Sequence, residues 1–353
     1  MNPTRILLIH TEETRTHFRS IGIVENEPLD TEILYTVLTQ DGHTVRIYDP
    51  DREQTGYEQV LSAFAPRLVY ADGVVKQVPY MLDYMKRTKA YSPRITTVLG
   101  GIFAEHNYAY LYAGTVDYIC RSYDPAVLSA VASLQTEPEI QTDRLEALNG
   151  LCFRKGDGSW AENTITPYDI NCLPRHIDRS HFYRYQSCFR LLRHNPLACV
   201  RFAYSCSHKC TFCYRTMMNC GRYIHKDIQR FAEEIQAVRS DTIYIVDDNF
   251  LVDPAVISEF IAWIRRLGIR KNYICYGRCD FILNNKELIR ELTQIGFRYF
   301  IVGFEAVRDN YLEKYDKKIA VEDSLSCIRF LKSIHAGLYA MMIIDTDFTA
   351  GDF

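Results

Sequence analysis

The chain has 353 residues, enough for two domains with separate cores, and its 47% hydrophobic and 24% charged composition is that of a globular protein in water. A formal net charge of −3 argues against nucleic acid as the main partner, and no apolar run approaches the ~20 residues of a membrane span. The first residues, MNPTRILLIHTEETR, lack the layout of a secretory leader, so the expectation is a cytoplasmic protein with no membrane partner.

RILLIH (5–10) is a short apolar run suited to a buried parallel strand. EPLDTEILYTVLTQDGH then puts Leu29, Ile33, Leu34 and Leu38 at helical spacing, with Gly42 as a stop. HTVRIYDP (43–50) predicts a strand ending at Asp49-Pro50. A helix around Tyr57–Phe64, a strand in RLVYADGV, a helix through Met81–Lys89, and strands in RITTVLGGIF (94–103) and VDYICR (116–121) continue the alternation. Five strands at this rhythm imply an open parallel, Rossmann-like sheet over residues 1–130, with helices on both faces and ligands at the carboxyl ends of the strands. After a helix at Ala126–Ser133 the pattern changes. GLCFRK and SWAENTI flank Gly156-Asp157-Gly158 as a hairpin, and Pro167, Asn171 and Pro174 mark a linker, so 131–195 reads as a linker with a β-hairpin.

From Cys199 the alternation resumes with CVRFAYSC as a strand, DIQRFAEEIQAV as a helix and DTIYIVDDNF as a strand. The next helix has Asp253 as N-cap, Pro254 in its first turn and Gly268 as terminator. NYICYGRC, KELIRELTQIG, RYFIVGFEA, a helix around Ser324–Ile334 and GLYAMMIIDTDF follow. Residues 196–353 therefore predict a partial parallel (βα) barrel with its site at the strand C-termini.

Twelve cysteines is a high count for a compartment where disulfides are rare. Most are scattered and read as small buried hydrophobes. Cys206, Cys210 and Cys213, in YSCSHKCTFCYR, do not: three thiols at CxxxCxxC spacing where a strand gives way to a loop can wrap one metal centre. Zinc would want a fourth ligand, for which His208 and Cys220 are at hand. On a four-iron cluster, three protein ligands leave one iron open to substrate or cofactor.

CSHKCTFC resembles the radical S-adenosylmethionine (SAM) signature CxxxCxΦC, with Phe212 in the aromatic slot. The likeness extends over essentially the whole chain and is greatest to the radical SAM enzymes with an N-terminal cobalamin-binding domain, through PLDTEILYTVLTQDGHTVRIYD, the VLGG turn, VDY, GLCFRKGDG, IVDDNF and GFEA. The resemblance implies an α/β chain: a cobalamin-binding-like Rossmann domain (1–130), then a partial (βα)6 radical SAM barrel (196–353). Cys206, Cys210 and Cys213 would ligate a 4Fe–4S cluster whose free iron holds S-adenosylmethionine, cleaved on reduction to methionine and a 5′-deoxyadenosyl radical. Phe212 would pack near the adenine. Asp247 or Asp248, side by side and so aimed oppositely, would meet the methionine amino group. Arg278 would meet its carboxylate, and Glu305 the ribose hydroxyls. Gly100 and Gly101 would let backbone approach the cobalamin nucleotide tail, and DGVVKQ (72–77), with Val75 at its centre, would form the rim facing the corrin.

The sequence departs from the family twice. RSYDP stands after VDY where an acidic-glycine run is usual, and the text ends at IDTDFTAGDF, before a sixth barrel strand. The leading expectation is cobalamin-dependent methylation of an unactivated carbon or phosphinate centre in a small-molecule or natural-product substrate, with flavodoxin or ferredoxin as electron donor. A radical cyclisation, rearrangement or oxidation beside a vestigial cobalamin domain, or a non-catalytic iron–sulfur or zinc protein, are the other readings.

Overall fold

A computed structural model describes residues 3–12, 24–135 and 142–344. Two compact units divide the chain: Pro28–Tyr168 and Ile177–Tyr185 join the residues up to Val24, while Glu25–Glu27 and Asp169–His176 join the chain from Gln186 onward.

In the first unit, β1 (Arg5–His10), β2 (Thr44–Tyr48), β3 (Leu68–Asp72), β4 (Thr96–Gly100) and β5 (Tyr118–Cys120) run parallel. The connecting helices are α1 (Leu29–Gln40), α2 (Tyr57–Phe64), α3 (Val78–Tyr91) and α4 (Ile102–Asn107), and α5 (Pro125–Leu134) follows β5. Both faces of the sheet are covered, which is why β1 is continuously apolar. Leu7 and Ile9 pack on one side with Val69, Ala71 and Leu99, while Ile6 and Leu8 pack on the other with Tyr70, Val98 and Val131 of α5. Asp124 caps α5, accepting from the Ala126 N–H just ahead of Pro125. The hairpin expected inside a linker is instead the antiparallel edge of this sheet. Strands β6 (Leu151–Arg154) and β7 (Trp160–Glu162) extend it in the order β2-β1-β3-β4-β5-β6-β7, with Ile119 opposite Cys152. The reason is burial: Leu151, Cys152 and Phe153 are all interior, and a free hairpin could not cover them.

The second unit holds a five-stranded, all-parallel sheet in the order β8-β11-β12-β13-β14. These strands are β8 (Ala198–Val200), β11 (Thr242–Ile245), β12 (Asn272–Gly277), β13 (Phe297–Glu305) and β14 (Gly337–Met342). Its core is aromatic, with Phe250, Phe260, Tyr273 and Phe297 in mutual ring contact. Asp253 caps the helix Pro254–Arg266, and Gly268 follows it at φ 63°.

The run CVRFAYSC is not one strand. It leaves the sheet after Val200, and Ala203–Tyr204 (β9) pairs antiparallel with Ile224–His225 (β10). The Asp247 carboxylate takes the Phe202 N–H at 2.7 Å, so this backbone donor is bound by a side chain and not by a ladder neighbour. That exit carries the chain into the cysteine loop. Residues 345–353, where the sequence reading put the end of the barrel, lie outside the described residues.

Candidate functional site

The cysteine loop begins at Ser205, in the left-handed region at φ 67°, its hydroxyl bonded to the Arg215 carbonyl. Farther along, Thr211 ties the loop down through its N–H to the Tyr315 carbonyl (3.1 Å) and its hydroxyl to the Lys314 carbonyl (3.0 Å). Cys206, Cys210 and Cys213 are all reduced and half-buried. Burial pushes the Cys206 and Cys213 thiols up, and Asp248 and the neighbouring loop thiols push the same way. The three sulfurs thus share one electrostatic neighbourhood, and a metal that binds there must displace the Cys206 and Cys213 protons. Among the described residues, no three His, Cys, Asp or Glu side chains enclose a single ion. Thiols spread along a loop can each hold a different iron of a cluster.

The strand ends of the second unit supply the charged groups. Asp247 is 2% exposed, with its pKa pushed up to about 7 by burial. Its Oδ1 serves the Phe202 N–H, and its Oδ2 has no hydrogen-bond partner. Both polar atoms of the Asn249 side chain and the Tyr223 hydroxyl are likewise buried and unpartnered, and Tyr223 senses the charges of Asp247 and Cys206. Unsatisfied atoms cost on the order of 1–3 kcal/mol each, so these groups, of which Tyr223 lies near Cys206, are suited to a polar ligand. Asp248 is turned away onto Arg215, at 2.9 Å.

Glu305 ends β13 at a register shift against β14, with φ 66°. This bulge re-aims its carboxylate onto Lys317, Nζ to Oε1 2.6 Å, with both residues under a tenth exposed. Gly303 leaves room for this pair: a Cβ there would stand 2.1 Å from Glu305 Oε1 and 2.9 Å from Lys317 Nζ, so a side chain would push the ion pair aside. The Lys317 ammonium also lies 5.9 Å from the centroid of Phe212, whose ring is exposed and meets Tyr315 edge-on at 5.5 Å.

Arg278, 8% exposed, grips Asp280 through Nε (3.0 Å) and Nη2 (2.9 Å), donates from Nη2 to the Lys317 carbonyl (2.8 Å), and reaches the Cys210 sulfur from Nη1 at 3.6 Å. Cys210, Arg278, Lys317, Glu305 and Phe212 therefore form one contact chain. His208 sits near it, its pKa lowered by burial and by the Arg278 charge, while Cys220 is exposed. Lys317, Arg215, Asp280 and the unpartnered Asn249 and Tyr223 were not singled out from sequence. Asp280, two residues after Arg278, and Asn249, next to the aspartates, had a positional signal; Lys317, in KYDKKIA, had none.

In the first unit, Gly100 and Gly101 end β4 against β3. A Cβ on Gly100 would lie 2.4 Å from the Tyr70 hydroxyl, and one on Gly101, whose φ is 84°, would lie 2.8 Å from the Asp72 Cβ and 3.0 Å from the Gly73 nitrogen. Burial, reinforced by Asp30, pushes the Asp72 carboxyl up to about 7. Val75 opens a short 3-10 turn after β3 and is 69% exposed.

The comparisons with known proteins fall on the same two units. Residues 25–132 match the B12 binding domain and residues 200–349 match the radical SAM superfamily. The hopanoid C-3 methylase of Methylococcus capsulatus is 24% identical over 326 residues, covering 91% of this chain and 61% of that protein. The anaerobic magnesium-protoporphyrin IX monomethyl ester cyclase of Rubrivivax gelatinosus is 21% identical over 291 residues, 80% of this chain and 51% of the relative. The structure of the cobalamin-dependent S-adenosylmethionine radical enzyme OxsB, solved with aqua-cobalamin and S-adenosylmethionine bound, shares the fold at a TM-score of 0.78 and 12% identity, over 97% of this chain and 49% of that one. The chain thus spans about half to three-fifths of the length of these relatives. A radical SAM domain implies a 4Fe–4S cluster and S-adenosylmethionine, and a B12-binding domain implies cobalamin; the reduced thiols, the unpartnered polar atoms and the side-chain-free β4 end are chemically suited to them. The chain thus carries a region that matches the B12 binding domain, followed by one that matches the radical SAM superfamily.

Proposed function

We propose that this chain supplies the cofactor-binding part of a cobalamin-dependent radical SAM methylase acting on an unactivated carbon or phosphinate centre of a small-molecule or natural-product substrate. The observation that carries the reading is the contact chain from Cys210 through Arg278 and Lys317 to Glu305 and Phe212, which joins the thiol loop to the carboxyl ends of the parallel strands. When bound, the cluster and S-adenosylmethionine supply one-electron radical chemistry and cobalamin supplies the methyl group.

In this reading Cys206, Cys210 and Cys213 are the cluster ligands. Asp247, whose Oδ2 lacks a partner and whose charge is felt by Tyr223, would accept from the methionine ammonium, and Asp248 serves Arg215. Glu305, aimed by its bulge and held by Lys317, keeps one carboxylate oxygen for the ribose. Phe212, exposed on the loop, offers its ring to the adenine. Gly100 and Gly101 make way for the cobalamin tail, and Val75 presents an apolar surface to the corrin. The functional division is 1–130, 131–195 and 196–353, the middle span contributing its hairpin to the first sheet. The electron comes from a flavodoxin or ferredoxin, and the protein is assigned to the cytoplasm; no helix among the described residues is long and apolar enough to cross a membrane. A second reading, radical cyclisation or oxidation without methyl transfer, draws on the similarity to the protoporphyrin ester cyclase.

The test is anaerobic reconstitution with iron and sulfide, then incubation with S-adenosylmethionine, dithionite and methylcobalamin. Four irons per chain and release of 5′-deoxyadenosine are expected, with both lost in Cys206→Ala. No 5′-deoxyadenosine from the cluster-loaded chain would overturn the radical reading. A corrin spectrum retained through gel filtration separates the methylase from the second reading.

A further inference from the structure

Arg278 is a buried cation whose fork is already occupied. The two-point grip that a guanidinium offers a carboxylate is closed on Asp280, a third contact goes to the Lys317 carbonyl, and a fourth N–H is directed at Cys210 Sγ. One N–H of Nη1 is left, too little for a bidentate hold on a methionine carboxylate. Sulfur is larger than oxygen, so 3.6 Å from nitrogen to Sγ is a bonding distance, and the guanidinium cannot drift from it while Asp280 and Lys317 hold its other edge.

We propose that Arg278 is a positioning residue for the cluster: it donates a hydrogen bond to the Cys210 sulfur and thereby raises the reduction potential of the iron–sulfur centre, with Asp280 as its counterweight. The inference rests on the cluster assignment made above. Adding one electron increases the negative charge on the cluster and its thiolates. A hydrogen bond and a positive charge on one of those sulfurs favour the reduced state, and hydrogen bonding to the sulfurs is among the levers that set such potentials. The carboxylate of Asp280 opposes the same charge from the far side, so the two residues pull the potential in opposite directions.

The experiment is an EPR-monitored redox titration of the reconstituted chain without S-adenosylmethionine, so that loss of a ligand contact cannot imitate the effect. At the midpoint potential of the unmodified protein, Arg278→Gln is expected to lower the ratio of reduced to oxidised cluster about threefold or more. Asp280→Asn, which keeps the guanidinium and removes the opposing charge, is expected to raise that ratio. A tenfold change in either would be a shift of about 59 mV for this one-electron couple. If Arg278→Gln fails to assemble a cluster, Asp280→Asn decides by the sign of its shift. Unchanged ratios in cluster-loaded variants, shifts of the same sign, or loss of the cluster in both variants would overturn the proposal. Failure of the unmodified chain to take up a cluster would instead overturn the functional reading beneath it.

Discussion

The carboxyl ends of the two parallel sheets use opposite means to make room for a ligand. At the first, β3 and β4 end in Asp72-Gly73 and Gly100-Gly101, where missing side chains let neighbouring backbone and the Tyr70 ring close in. At the second, the strand ends carry Asp247, Asp248, Arg278 and Glu305, and three of these four are bound in ion pairs with Arg215, Asp280 and Lys317. Yet each end holds one carboxyl lifted to about 7 by burial, Asp72 in one unit and Asp247 in the other. A backbone-lined edge accepts a large ligand by shape, whereas an edge of fixed charges selects a small zwitterion by its ends.

The contrast can be broken most forcefully at Lys317. Lys317→Met would strand the Glu305 carboxylate at a site 8% exposed, and a loss of about 3–5 kcal/mol is expected in urea unfolding. The shared feature is tested by Asp72→Asn and Asp247→Asn. Each carboxyl keeps its proton to about pH 7 when folded but only to its ordinary 3.8 when unfolded. Between those values the native state binds more protons than the unfolded chain, so wild-type stability falls as pH rises. Both variants should therefore be more stable than wild type at pH 8, by about 2–4 kcal/mol, with the difference vanishing near pH 4. A smaller effect is expected at the glycine edge: Gly100→Ala drives a methyl group onto the buried Tyr70 hydroxyl, costing about 1–3 kcal/mol and weakening retention of a corrin. A neutral Gly100→Ala would mean that the edge yields and is not shaped by close packing.

Much of the fold was legible because parallel strands buried on both faces write themselves as continuous apolar runs, such as RILLIH and TTVLG. Caps and stops at Asp253, Gly268 and Gly42 are local chemistry and were equally readable. The hairpin Leu151–Glu162 could be seen as a hairpin but not assigned to a sheet, since pairing with Tyr118–Cys120 is a long-range choice. CVRFAYSC read as one strand because its composition is strand-like throughout; the Asp247 carboxylate, distant in sequence, takes the Phe202 N–H and turns the backbone away.

For the site, the sequence by itself determined the thiol loop, because Cys206, Cys210 and Cys213 lie within eight consecutive residues and their proximity survives any folding of the rest. The resemblance to radical SAM enzymes marked Asp247, Asp248, Arg278 and Glu305, all at strand ends of the kind where parallel sheets bind ligands. Only the tertiary structure decided what each of these charges does. Asp248 is tied to Arg215, Arg278 to Asp280 and the Cys210 sulfur, and Glu305 to a lysine twelve residues on whose ammonium is buried by the fold. A side chain's partner depends on which segments meet at a strand end, and that meeting is a property of packing, absent from any single stretch of sequence.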